Sequence, residues 1–212
     1  RLAGTRAGTG KLLAALLLAA LALRLSAGPA HRVYNDEFEH LDIARHLAET
    51  GTFSGTLVGG LAGYDVLARP TWPGGHHVAL AAVFKLFGGA AYTAFLWSAL
   101  LSVLTALFAF WAALELFGDE RGALAAACAW AVLPLAVRYG LASDLTSSAL
   151  FWLAAALAAL HAREKEPGPG LDAFAALTML YAVQVRPENI LLVGYAALLR
   201  APLSVFLPAL LG

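Results

Sequence analysis

Long apolar runs separated by short polar stretches set the frame of this chain. Residues 11–27 form the first run, preceded by Arg1, Arg6 and Lys11 and closing on Ser26-Ala27-Gly28. A bilayer core about 30 Å thick takes about 20 apolar residues in a helix. The run therefore reads as a retained first span or as a signal peptide, whose basic start, short apolar core and small residues near Ala27 it shares. In both readings the basic flank stays cytoplasmic and residues 30–90 form a loop outside the cytoplasm.

Within that loop the polarity changes with helical period. Asn35-Asp36-Glu37 opens a helix predicted over 36–50, with Phe38, Leu41, Ile43, Ala44 and Leu47 along one side, Glu39, Asp42, Arg45 and Glu49 on others, and Gly51 as the stop. Thr71-Trp72-Pro73 starts a second helix over 73–87, with Leu80, Val83, Phe84 and Phe87 apolar and Gly88-Gly89 closing it. At about 15 residues it is too short to cross and is expected to lie along the membrane interface.

Further spans are predicted over 90–117, 122–139, 144–161, 171–185 and 190–211. The second follows the turn Gly118-Asp119-Glu120-Arg121-Gly122, contains Pro134 and carries Arg138 near its outer end. The third is capped by Ser143-Asp144 and followed by a charged and Pro/Gly-rich linker from His161 to Gly170, expected on the cytoplasmic side. As a helix, 171–185 reaches only about 22 Å, so Arg186-Pro187-Glu188-Asn189 should lie recessed in the outer leaflet. Arg200, Pro202 and Pro208 interrupt the last run. The expected fold is all-α: a polytopic helical membrane protein of about six spans, one module over 1–212, whose first extracytoplasmic loop carries two short interfacial helices. The start at Arg1 and the stop at Gly212 after a proline-broken run suggest a fragment or a trimmed product.

Composition narrows this further. The chain is 60% hydrophobic and 13% charged, and Ala and Leu dominate the runs, which favours helices over a barrel. Fourteen basic and 14 acidic residues give no net charge, so no basic surface exists to neutralise nucleic-acid phosphates. A lone cysteine, Cys128, leaves no internal disulfide and no Cys-based zinc site.

Five features fall on the outer side of this topology: Asp36-Glu37, Arg69, His76-His77, Asp144 and Arg186. Ionisable groups near membrane depth are costly unless paired or solvated, so their convergence would mark a polar cavity. Each also has a plainer reading. Asp36 and Glu39 fit a capping box, Asp144 fits a helix cap, and Arg69 and Arg186 could snorkel to headgroups. His76 and His77 beside Gly74-Gly75 are weak metal ligands without an H-x-x-x-H or Cys partner.

The order of Tyr34-Asn35-Asp36-Glu37, Ile43-Ala44-Arg45-His46-Leu47, Arg69-Pro70, Phe84-Lys85-Leu86-Phe87-Gly88, Tyr139-Gly140-Leu141-Ala142-Ser143-Asp144 and Val185-Arg186-Pro187 resembles the GT-C superfamily of membrane glycosyltransferases. The resemblance is specifically to the N-terminal module of the protein O-mannosyltransferase and lipid A aminoarabinose-transferase branch. The resemblance implies that Asp36 or Glu37 lies at an active site, with Asp144 as the second acidic position. It also implies a sugar donor carried on a polyprenyl phosphate, a protein or lipid acceptor, and a bacterial or archaeal plasma membrane with the N-terminus cytoplasmic. A carboxylate would accept the acceptor's hydroxyl proton during an inverting displacement. Arg69 and Arg186 would hold the departing phosphate, a task a divalent metal ion could share.

Two departures stand out. The chain reads Leu67-Ala68-Arg69-Pro70 where the aminoarabinose-transferase branch tends to place an acidic residue, and the resemblance leads one to expect further spans and often a soluble domain beyond Gly212. The second departure motivates a rival expectation, a non-catalytic membrane subunit of a larger assembly that keeps this scaffold. Intramembrane charges alone would also fit a transporter.

Overall fold

The computed structural model describes residues 7–28, 35–56 and 73–211, with Asn35 and Asp36 described by their backbone alone. Ten α-helices and one 3-10 turn account for the described residues outside loops. In chain order they are α1 (Ala7–Ala27), α2 (Asn35–Thr50), α3 (Gly75–Phe87), α4 (Ala91–Phe117), α5 (Glu120–Val132), α6 (Pro134–Tyr139), α7 (Thr146–Lys165), α8 (Pro169–Val185), the 3-10 turn Pro187–Ile190, α9 (Leu191–Leu198) and α10 (Leu203–Leu211).

The all-α expectation holds among the described residues, but the run expected over 122–139 is two helices rather than one. Pro134 sits at the first position of α6, and Leu133 before it adopts φ −56°, ψ 119°. Proline crowds the preceding residue out of the α region, and that breaks the helix. The last predicted span, 190–211, is likewise divided into α9 and α10, joined through Arg200 at φ 52°. Conversely, α7 runs to Lys165, a turn beyond the expected end at 161, because Arg163 and Lys165 find carboxylate partners there. Arg163 Nε lies 2.5 Å from Asp172 Oδ1 of α8, and Lys165 Nζ meets the carbonyl and the carboxylate of Glu115 on α4. Buried Glu115 also accepts from Trp111 Nε1 at 3.3 Å.

α4 is the central element. On one side α7 packs against it, α8 against α7 and α10 against α8; on the other lie α5 and α1. The interior of these contacts is built from small residues: Ala155, Ala156, Ala158, Ala159, Ala175 and Ala182 are fully buried. Phe110, Leu160 and Met179 are buried with them, while other large apolar side chains point outward, among them Leu18, Phe117, Leu191 and Leu198, the last 81% exposed. Small residues let helix backbones approach closely. Among the described residues α1, with 21 residues, and α4, with 27, are long and apolar enough to cross a membrane. The pair α2 and α3 packs together at one end of the bundle, docked on it through α4 and α8.

Candidate functional site

The inward face of α2 keeps Leu41, Ile43 and Ala44 of the apolar side its sequence suggests, but loses Phe38 and gains two polar residues. Phe38 is 45% exposed, whereas Glu37, His40, Leu41 and Ala44 are buried. Those four positions recur at helical spacing on one face. Two long-range polar contacts bring them inward. Glu37 Oε1 accepts hydrogen bonds from the Ser143 backbone N–H at 2.9 Å and from the Ser143 hydroxyl at 2.5 Å. One turn further along, His40 Nδ1 faces His77 Nε2 of α3 at 2.9 Å.

His40, His76 and His77 form a compact trio, with ring centroids 5.0–5.7 Å apart and Phe53 edge-on to His77. All three rings are buried and held neutral. Desolvation is the main cause in each case. It brings His40 to about 4, helped by the positive charge of Arg186. His77 also falls to about 4, through burial and the neighbouring His40 against a weak opposing pull from the Pro73 carbonyl. His76 lies well below its ordinary value for the same reasons, burial first and then His40 and His77. Both ring nitrogens of His76 lack a hydrogen-bond partner. Among the described residues no three or more His, Cys, Asp or Glu side chains are arranged to hold a metal ion.

Asp144, next to Ser143, is half-buried, and its Oδ1 accepts from the Thr146 N–H at 2.9 Å. The expected cap is displaced: the N-cap of α7 is Leu145, with no side-chain cap hydrogen bond, and Asp144 instead makes an i, i+2 turn bond to Thr146, the first residue of the helix. Arg186 ends α8 in an extended conformation, φ −140°, ψ 113°, as a residue before proline does. α3 crosses the end of α8 so closely that a Cβ on Gly75 would lie 2.9 Å from the Gln184 carbonyl oxygen. That approach places Arg186 within electrostatic reach of His40.

Arg186 also borders a cavity of about 330 Å³ among α4, α5, α6 and α7. Trp130, Leu133, Leu135 and Leu150 form its apolar walls. Tyr139, Thr146 and Ser147 join Arg186 as its polar lining, and Ser102 contributes a further hydroxyl. The structure thus brings Glu37, the Ser143-Asp144 turn, the histidine trio and Arg186 to one end of the bundle. Arg69 and the side chain of Asp36 lie outside the described residues, so their expected roles have no geometry.

Sequence reading overlooked His40 and Ser102, and it took Ser143 only as part of a helix cap. A signal for His40 existed in its i, i+3 spacing from Glu37; nothing local distinguished Ser102. In comparisons with known proteins the chain matches no family model, no curated protein and no solved structure.

Proposed function

We propose that this chain is a polytopic membrane protein, and that it is a glycosyltransferase or the catalytic module of one. In this reading it moves a sugar from a polyprenyl-phosphate donor to a protein or lipid acceptor on the extracytoplasmic face. The observation that carries it is the adjacency of Asp144 to the amphiphilic cavity: Asp144 bonds to Thr146, and Thr146 lines the cavity together with Arg186. An apolar slot ending in a guanidinium suits a lipid phosphate, since the chain can take the tail and the arginine the charged head. Fully buried alanines at the helix contacts, together with many exposed leucines, support lipid as the surrounding solvent.

In this mechanism a carboxylate accepts the acceptor's hydroxyl proton as the oxygen attacks the anomeric carbon, and the phosphate leaves toward Arg186. Of the two carboxylates with described side chains, half-buried Asp144 suits the base. Glu37, 1% exposed and engaged with Ser143, instead positions the turn that carries it. The test is sugar transfer from a polyprenyl-phosphate donor by the full-length protein with Asp36→Asn, Glu37→Gln and Asp144→Asn. Undiminished transfer in all three refutes the reading.

A second reading, a non-catalytic subunit that keeps the scaffold, is favoured by one observation. Glu37 is spent on a buried contact that would serve packing equally well. Stoichiometric copurification with other membrane subunits, together with no transfer by the assembly, would establish it.

A further inference from the structure

Arg24, near the end of α1, is the largest fully buried side chain among the described residues, at 0% exposure. Its Nε donates to Ser102 Oγ at 2.9 Å, and Nη1 donates to the carbonyls of Ala20 at 3.0 Å and Ala131 at 3.2 Å. Nη2 has no partner, and no described carboxylate pairs with the guanidinium. The fold makes room for this group specifically: a Cβ on Gly140 would lie 2.9 Å from both Arg24 Nε and Ser102 Oγ. Three neutral acceptors ease the desolvation of a buried cation without cancelling its charge.

Ser102 connects that charge to the cavity, because it lines the cavity while accepting from Arg24. Its own proton goes to the Ala136 carbonyl across a long 3.3 Å bond. Trp130, also on the cavity wall, fixes the Ser102 backbone by donating from Nε1 to its carbonyl at 2.8 Å. We propose that Arg24 is a positioning residue that makes this cavity select an anionic headgroup, a phosphate, over a neutral one, acting through the Ser102 hydroxyl. An anionic oxygen in the cavity is a better acceptor than the distant Ala136 carbonyl. Rotation about Cβ–Oγ delivers the hydroxyl proton to it while Arg24 keeps donating to the same oxygen. Polarisation by the guanidinium strengthens that bond, and a neutral alcohol headgroup draws far less from it. With Arg186 the cavity then has two cationic influences. The inference rests on reading the cavity as the donor's site.

The experiment uses the full chain in a non-ionic detergent, with intrinsic tryptophan fluorescence, to which Trp130 on the cavity wall contributes, reporting titrations of farnesyl phosphate, farnesol and inorganic phosphate. Wild type should bind farnesyl phosphate about tenfold more tightly than farnesol. Arg24→Met and Ser102→Ala should each collapse that ratio while leaving farnesol binding in place, and Arg24→Lys should restore part of it. Ser102→Ala keeps the test intact if Arg24→Met fails to fold, because it removes the relaying hydroxyl without removing the charge. An unchanged ratio in Ser102→Ala overturns the proposal, as does equal loss of both ligands. Inorganic phosphate binding as tightly as farnesyl phosphate overturns the lipid assignment. Selectivity that follows Arg24 in a protein without sugar transfer would sink the glycosyltransferase reading alone. Transfer activity with selectivity indifferent to Arg24 and Ser102 would sink this inference alone.

Discussion

Glu37 and Ser143 stand 106 residues apart, yet one carboxylate oxygen of Glu37 takes both hydrogen bonds that Ser143 can donate. All of these groups are buried. The contact ties the first turn of α2 to the turn between α6 and α7, and it sets where Asp144 lies.

Removing that carboxylate strands two buried donors at once. Glu37→Ala should therefore lower stability by about 3 kcal/mol, since a hydrogen bond to a charged group contributes about 1.5–3 kcal/mol and an unsatisfied partner adds its own penalty. Glu37→Gln keeps an acceptor oxygen and should cost about 1 kcal/mol. Thermal unfolding in detergent checks the order. Equal stability of wild type and Glu37→Ala would mean that the turn is held by other contacts.

Acid should loosen the α2–α3 pair before the rest of the bundle. His40 and His77 sit at about 4 in the folded protein against an ordinary 6.5, so between those values the unfolded chain binds protons that the folded one refuses. Stability contributed by the neutral rings is full above about 6.5 and falls as pH drops towards 4. The loss is on the order of 2–3 kcal/mol for each ring. Melting temperature followed over this window should fall in wild type and fall less in His40→Gln. Identical slopes would show that other groups govern the acid response.

How much of this was legible in the sequence depended on where each residue's partner lies. Gly51 ends α2 with φ 76°, and Pro187 forces Arg186 into an extended backbone; both follow from neighbouring residues and were readable. The apolar side of α2 was readable in Leu41, Ile43 and Ala44, which are buried, but Phe38 was not. Phe38 lies 45% exposed, and Glu37 and His40 turn inward because they bond to Ser143 and His77 on other elements. Arg24 was passed over as one residue within an apolar run, although a charge there needs an account. Its partners Ser102, Ala131 and the space left by Gly140 come from three separate parts of the chain. At Pro134 the residue was seen and the break it causes was not.

Gly75 tests whether the α3–α8 crossing matters for the site. A methyl group there would lie 2.9 Å from both Cβ and the carbonyl oxygen of Gln184, and the backbone atom cannot swing aside as a flexible side chain would. Gly75→Ala should cost about 1–3 kcal/mol through overpacking. It should also shift the end of α8 and weaken farnesyl phosphate binding through Arg186. Val78→Ala, on an exposed position of the same helix, serves as the control and should leave both unchanged. Normal stability in Gly75→Ala would mean that the two helices separate easily.

Arg186 and Asp144 should fail in different ways, and that difference separates binding from chemistry. Asp144→Asn removes the proposed base but keeps an oxygen to accept from the Thr146 N–H, so the turn should survive. Transfer should then fall about 100-fold in kcat with donor KM little changed, within the range for loss of a general base. Arg186 is exposed, so its replacement leaves the core untouched. Arg186→Gln should lower transfer through both parameters, because the guanidinium meets the phosphate in the bound donor and again as charge builds on the leaving group. Lysine at 186 keeps the charge and loses the planar fork, and should recover only part of the loss. Steady-state kinetics with varied donor concentration resolve the two patterns. A KM effect confined to Asp144→Asn, with kcat intact, would reassign Asp144 from base to binding residue.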